Sequence, residues 1–213
     1  MSVAPEPELV HVDAHCIVAL KPGGLLSVPG LGAHGQDCLA ARVQALHPDA
    51  LVVHRLDMAT SGLMLFARGA DAQRALGRAF AARTVHKRYV AVVAGRLPAD
   101  HGEIGLPLSA DWPNRPRQKV DTAQGKPSLT RWRVLAVDDA RGTTRLALEP
   151  VTGRAHQLRV HLLAIGHAVL GDALYAPPEV RARADRLLLH ASALGFAHPA
   201  NGTPLWFESA PPF

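Results

Sequence analysis

His54-Arg55-Leu56-Asp57-Met58-Ala59-Thr60-Ser61-Gly62-Leu63-Met64-Leu65-Phe66-Ala67-Arg68 sets a short polar cluster directly against an unbroken apolar run. The run, GLMLFAR over 62–68, predicts a buried strand, because its apolar residues occupy both alternating faces. A carboxylate held at the mouth of such a strand is either a turn cap or a reactive group. Asp favours turns and caps, and Arg55 offers a nearby ion-pair partner. A chemical part for Asp57 requires a cation that keeps it ionised in a pocket, since desolvation raises a carboxylate pKa and a nearby guanidinium lowers it. Arg159, in GRAHQLRVHLLAIGH, is the candidate cation.

Working outward, 9–13 and 15–21 read as strands, 37–47 as a helix with Asp37 as N-cap and Leu39, Val43 and Leu46 on its apolar face. LVV at 51–53 is a short strand. Residues 70–83 read as a helix with Leu76 and Phe80 at i, i+4, and 87–95 as a strand. Beyond about 103, short strands dominate, with TRLALEP alternating clearly. A helix is expected at 156–165 with Leu158, Leu162 and Ile165 on one face, and strands close the chain. The fold class expected is α+β, a mixed, mainly antiparallel sheet core with flanking helices.

The 213 residues carry 48% hydrophobic and 19% charged side chains, the balance of an ordinary globule. No apolar run reaches the length of a membrane span and the start lacks a signal-peptide pattern, so a cytoplasmic protein without membrane partner is expected. Cys16 and Cys38 read as small buried hydrophobes. Net charge is +5 and the pI about 9.8, and the 23 basic residues divide into 19 Arg and 4 Lys. Arg binds phosphate bidentately and stacks on bases, so the balance points to nucleic acid. Basic clusters recur at 83–88, at 115–119 after Trp112, at 131–133 and at 154–159.

Other chemistries find weaker support. Gly30-Leu31-Gly32-Ala33-His34-Gly35 matches G-x-G-x-x-G, with Asp57 22 residues on, yet Pro29 stands where the strand should end and βαβ repeats are missing. Of the 12 His, His156 and His161 lie five apart, about 140° around a helix, and cannot chelate as an i, i+4 pair would. Ser61-Gly62 lacks the G-x-S-x-G elbow. No metal and no cofactor are expected.

HRLDMATSGLMLFA resembles the catalytic motif of the RluA-type pseudouridine synthases, HRLDxxTSGLLLxA. VALKPGGLLSVPG, KRYVAVVAG, GKPSLTRWRVL and VTGRAHQLRVHLLAIGHAVLGDALYA resemble that family's other signatures, in order and over nearly the whole chain. DWPNRPRQKV (111–120) resembles a stand-alone member that modifies both a tRNA anticodon stem-loop and a 23S rRNA hairpin. Leu20, Ala155 and Ala168 depart from the family pattern, and none of them touches the proposed acid, Tyr or Arg.

The resemblance implies one pseudouridine synthase catalytic domain over 1–213, with two sub-halves around an RNA-binding cleft and no S4 domain. It implies an isomerase, cofactor-free, that flips a uridine from its stack. Asp57 would be the catalytic acid, as nucleophile or base on the sugar, Tyr89 the ring packed against the base, and Arg159 the partner of the carboxylate. Arg55 would fill the vacated space. His54 and Thr60 would flank it, with Leu158 and Arg154 from the C-terminal signature. Lys87, Arg88, Arg115, Arg117 and Lys119 would meet the RNA. The partner is RNA, and a monomer is expected. A catalytically silent RNA-binding protein on the same fold is the binding-class alternative, and a nicotinamide oxidoreductase the third.

Overall fold

The computed structural model describes residues 5–30, 32 and 35–213. Leu31, Ala33 and His34 of the glycine-rich match lie outside them. The chain forms two compact units, one of residues up to Lys87 with Ala191–Pro212, the other of Arg88–His190 with Phe213.

The first unit is built on the predicted buried strand. In chain order it holds β1 (Glu8–Val12), β2 (Cys16–Lys21), α1 (Leu39–Leu46), β3 (Ala50–Val52), β4 (Ser61–Arg68) and α2 (Gly69–Ala81). The Ala191–Ala197 part of β11 (Leu189–Ala197) and β12 (Pro204–Glu208) complete it. β1–β2, β2–β4, β3–β4 and β11–β12 pair antiparallel. β4 reads as continuously apolar because both its faces are covered. Met64 and Phe66 pack with Leu39, Ala40 and Val43 of α1, while Leu63, Leu65 and Ala67 pack with Ala72 and Leu76 of α2. Gly62 opens the strand at φ +120°, where an added Cβ would lie 2.4 Å from the Ala191 carbonyl oxygen, so only glycine fits.

Two helix expectations need correction here. α1 starts at Leu39 rather than 37, and its N-cap is Cys38, whose Sγ accepts the Ala41 N–H at 3.3 Å. Asp37 instead pairs bidentately with Arg42, both contacts at 2.7 Å. Leu46 is 44% exposed; the buried face of α1 is Leu39, Ala40 and Val43. Cys16 and Cys38 are buried and free, as expected of small hydrophobes. Gly30 N–H donates to Gly35 O at 2.8 Å, and an added Cβ at Gly35 would meet the Gly30 backbone.

The second unit orders its strands β5-β10-β9-β6, all antiparallel: β5 (His86–Ala94), β6 (His101–Ile104), β9 (Thr130–Asp138) and β10 (Thr143–Pro150). A separate two-stranded ribbon pairs β7 (Leu108–Ala110) with β8 (Gln118–Val120). α3 (Gln157–Ala164) and the single turn α4 (Pro178–Arg181), which sequence patterning did not signal, follow. The amphipathic reading of α3 is also corrected. Six consecutive residues, Gln157 through Leu162, are buried, which a one-sided helix cannot achieve. Its polar side chains are tolerated inside because each finds partners.

Among the described residues, no helix is long and apolar enough to cross a membrane.

Candidate active site

The loop before β4 owes its shape to two buried polar side chains. Lys21, at the end of β2 and fully buried, donates from Nζ to the carbonyls of Pro22 (2.9 Å), Leu25 (2.7 Å) and Met58 (2.9 Å). A cation there neutralises three converging carbonyl dipoles that no apolar residue could satisfy. Ser27 Oγ donates to Leu56 O at 2.7 Å and accepts Leu56 N–H at 3.0 Å, locking both backbone groups of one residue. Asp57 is thus gripped on either side: Leu56 by Ser27, Met58 by Lys21 and by Gly24 N–H. Its own carbonyl accepts Thr60 N–H at 3.1 Å, closing the turn. Asp57 is half-buried, Arg55 exposed, Thr60 buried.

His54 is part of this support. Its Nε2 accepts Leu65 N–H from β4 at 2.9 Å, and its ring stacks on Phe80 with centroids 4.7 Å apart. Burial, with the Lys87 charge second, lowers its pKa to about 3, so the ring is neutral. Through its acceptor nitrogen and one ring face, His54 anchors the loop to the strand.

In the second unit the chemistry gathers around α3. Arg159, only 3% exposed, donates from Nε to Asp172 Oδ2 at 2.8 Å and from Nη2 to Asp172 Oδ1 at 2.6 Å. Asp172 Oδ1 also accepts the N–H groups of Leu174 and Tyr175. The guanidinium lies 4.9 Å from the Tyr175 ring centroid. Tyr175 Oη accepts Gln118 N–H at 2.8 Å and shares a 2.6 Å hydrogen bond with His156 Nδ1. Beneath, Gln157 is saturated: Oε1 accepts from Thr152 Oγ1 and Arg154 N, and Nε2 donates to Leu129 O and Thr130 Oγ1. His161 Nε2 donates to Leu106 O, leaving Nδ1 to accept from Thr130 Oγ1, both at 2.9 Å, and burial lowers its pKa. His156 and His161 therefore engage different partners, as structural histidines do.

Tyr89 stands on β5 opposite Leu148, half-buried, and Leu158 is buried in α3. Lys87 is half-buried; Arg88 and Arg154 are exposed, and Arg154 Nη2 donates to Pro127 O at 3.4 Å. Between β7 and β8 the chain makes a closed excursion, Asp111 N–H to Arg117 O and Arg117 N–H to Asn114 O, each 3.0 Å. Trp112, 68% exposed, carries Arg115 over its ring at 4.3 Å, and Arg117 reaches the Tyr175 ring at 5.3 Å. Lys119 is exposed on β8.

The structure thus places His54, Arg55, Asp57 and Thr60 on one braced loop of the first unit, and gathers Arg117, His156, Arg159 and Tyr175 in the second. Sequence reasoning missed Lys21, Ser27, Asp172 and Tyr175. Lys21 left a signal: a lone cation ending an apolar strand before Pro-Gly. Asp172 lay within the quoted run GDALYA, but a buried ion pair 13 residues long-range carries no local pattern.

Comparison with known proteins bears on both units. Residues 15–164 match the RNA pseudouridylate synthase family. The chain is 50% identical over 200 residues to the dual-specificity RNA pseudouridine synthase RluA of Yersinia pestis, covering 94% of this chain and 97% of the relative. It is 49% identical over 210 residues to the protein of that name from Escherichia coli K12, covering 98% and 95%. Among solved structures, human RNA pseudouridylate synthase domain containing 1 superposes with TM-score 0.81 at 27% identity, covering all of this chain and 87% of its own. The chain belongs to the RNA pseudouridylate synthase family. The α+β class, mainly antiparallel and sheet-dominated, agrees with the sequence reading.

Proposed function

We propose that the protein isomerises specific uridines to pseudouridine in both 23S rRNA and the tRNA anticodon arm, acting as a cytoplasmic monomer without cofactor. The observation that carries this is Asp57: a half-buried carboxylate whose flanking backbone is braced by Lys21 and Ser27, in a chain half identical to relatives named dual-specificity synthases. Isomerisation breaks the N1–C1′ bond and makes a C5–C1′ bond; C5 loses a proton and N1 gains one, so atoms and electrons balance within the nucleoside. The side chain needed is an acid at the sugar, serving as nucleophile at C1′ or as base at C2′. A braced loop keeps that carboxylate in place without reorganisation in the transition state.

In this reading Arg55, exposed beside Asp57, fills the space the uridine leaves, and Tyr89 stacks on the extruded base. Flipping costs a few kcal/mol, and one base–aromatic contact returns about 1–3 kcal/mol. Arg159 serves the reaction from the second unit, with Asp172 and Tyr175 fixing its guanidinium. Leu158, buried in α3, belongs to the substrate-binding set. Thr60 shapes the loop, and Lys87, Arg88, Arg154, Arg115, Arg117 and Lys119 meet phosphates.

The test is pseudouridine mapping in tRNA and rRNA taken from a strain lacking the gene and incubated with purified protein. Wild type should introduce pseudouridine into both RNAs, and Asp57→Ala should introduce none while retaining RNA binding. Wild type leaving both RNAs unmodified would defeat the reading in favour of an RNA-binding protein.

A further inference from the structure

Tyr175, buried in the turn that follows α3, touches two parts of the second unit that differ in exposure. The buried Arg159 guanidinium lies 4.9 Å from its ring centroid, and that of Arg117, exposed on the β7–β8 excursion, lies 5.3 Å away. Its hydroxyl accepts Gln118 N–H from β8 at 2.8 Å and shares a 2.6 Å hydrogen bond with His156 Nδ1. A phenol has one proton to give and lone pairs to accept, so it can complete both bonds at once. A solvent-facing guanidinium and a buried one thus share a single ring.

We infer that Tyr175 is a positioning residue through which the β7–β8 ribbon, when it holds RNA, sets Arg159 for the reaction. The inference rests on the isomerase reading and deepens its substrate side, making the ribbon a specificity element as well as a grip.

The way the ribbon is tied is the first argument. Its base is closed: Leu108 and Lys126 exchange both backbone hydrogen bonds, at 3.0 and 2.8 Å. Asp121 there takes the Ala123 and Gln124 N–H groups on Oδ1 and Ser109 Oγ on Oδ2. Leu108 packs with Val160 of α3 and with Tyr175, and Val120, Leu163 and Leu174 border that cluster. The excursion over 111–117 carries Trp112, Arg115 and Arg117 exposed to solvent. Where it rejoins β8, Gln118 N–H leaves for the Tyr175 hydroxyl. Phosphates held by Arg115 and Arg117 therefore act on a segment whose return strand is fastened to Tyr175.

The second argument is what Tyr175 holds on its other side. Asp172 Oδ1 accepts Tyr175 N–H at 3.1 Å, while the two Asp172 oxygens take Arg159 Nε and Nη2. His156, the N-cap of α3, stands at φ +53°, a left-handed setting unfavourable to a non-glycine residue, and its ring is bonded to the Tyr175 hydroxyl. The helix that His156 opens carries Arg159. Ribbon, ring, helix start and guanidinium form a chain of direct contacts rather than a mere neighbourhood. Binding energy from a remote part of the RNA, used to set a reacting group, appears in kcat rather than in affinity.

The test measures pseudouridine formation on a tRNA anticodon stem-loop by the full chain, by Tyr175→Phe, by Arg117→Ala and by the double variant. Phenylalanine keeps the ring that packs on Leu108 and Val160 and faces both guanidinium groups, and removes only the hydroxyl. Its kcat should fall about tenfold, the worth of one to two ordinary hydrogen bonds, with KM within about twofold of wild type. Arg117→Ala should raise KM and lower kcat about fivefold. The double variant should show the kcat of Tyr175→Phe, because both changes break the same link and their losses overlap. A purely structural hydroxyl would instead lower Tm and let the two losses multiply to about fiftyfold, which overturns the inference. Wild-type kcat in Tyr175→Phe overturns it as well. A wild type that forms no pseudouridine is a different result: it brings down the isomerase reading, and this inference with it.

Discussion

Replacing Asp172 by alanine separates a structural ion pair from mere proximity. Arg159 and Asp172 are 3% and 1% exposed and joined by two contacts of 2.8 and 2.6 Å. Deleting the carboxylate removes both of these contacts from the buried guanidinium and takes away the oxygen that accepts the Leu174 and Tyr175 N–H groups. Breaking a buried pair from one side costs about 3–5 kcal/mol, because the desolvated charge that remains loses a bidentate partner. For a chain of this size each kcal/mol moves Tm by about 2–4 °C, so Asp172→Ala should melt about 6–20 °C below wild type. The double variant Arg159→Leu/Asp172→Ala, with Arg159→Leu as the second single, removes both charges and should recover much of that loss.

The assay is a calorimetric double-mutant cycle, with circular dichroism to establish that each variant folds. Asp172→Asn adds a functional reading. It keeps the side-chain shape and an oxygen for the backbone N–H groups but removes the charge that orients Arg159. If Arg159 acts in the proposed reaction, this variant should lose kcat far more than it loses RNA affinity. A Tm change below about 2 °C for Asp172→Ala, with additive single effects, would refute the energetic reasoning.

Lys21→Met should orphan the Pro22 and Leu25 carbonyls, Met58 O keeping its Gly24 donor, at about 1–3 kcal/mol each, partly offset by the removed cost of burying an ammonium. A net loss of about 2–4 kcal/mol, with kcat falling more than KM rises, is expected from urea unfolding and steady-state kinetics; unchanged values on both counts would show that the loop does not depend on this cation. His54 has its pKa lowered from 6.5 to about 3 in the fold, so the unfolded chain binds the extra proton between those values. Stability is complete above about pH 6.5 and falls as pH drops toward 3, by at most about 2 kcal/mol between pH 7 and 5 from this residue. His54→Gln should flatten that part of the urea-unfolding profile, and an identical pH 7 to 5 loss in the variant would sink the assignment.

How far the fold was legible depended on whether its cause was local. β4 could be read because burial on both faces writes itself into seven successive residues, and the alternation of β10 likewise reports one covered face. α1 misled at its start because a thiol rather than the nearby carboxylate caps it, and the carboxylate was drawn to Arg42. α3 misled more deeply. Its buried Gln157, Arg159 and His161 look like a polar face, and only partners brought in by other strands and loops make them interior residues.

The candidate site divides along the same line. Asp57 and its neighbours stand in a contiguous motif, so sequence could name them and a family resemblance could give them roles. What steadies them is remote in sequence: Lys21 acts on Met58 across 37 positions and Ser27 on Leu56 across 29. Both use side chains to satisfy backbone groups, a need that arises only once the loop is folded against β2. A reacting residue can be named from its motif, whereas its positioning is a property of the hydrogen-bond accounting of the folded loop. Transition-state stabilisation depends on that positioning, since a carboxylate free to wander must pay to reorganise at each turnover. Variation at the buried Lys21 and Ser27 should therefore lower kcat while leaving the HRLD motif intact.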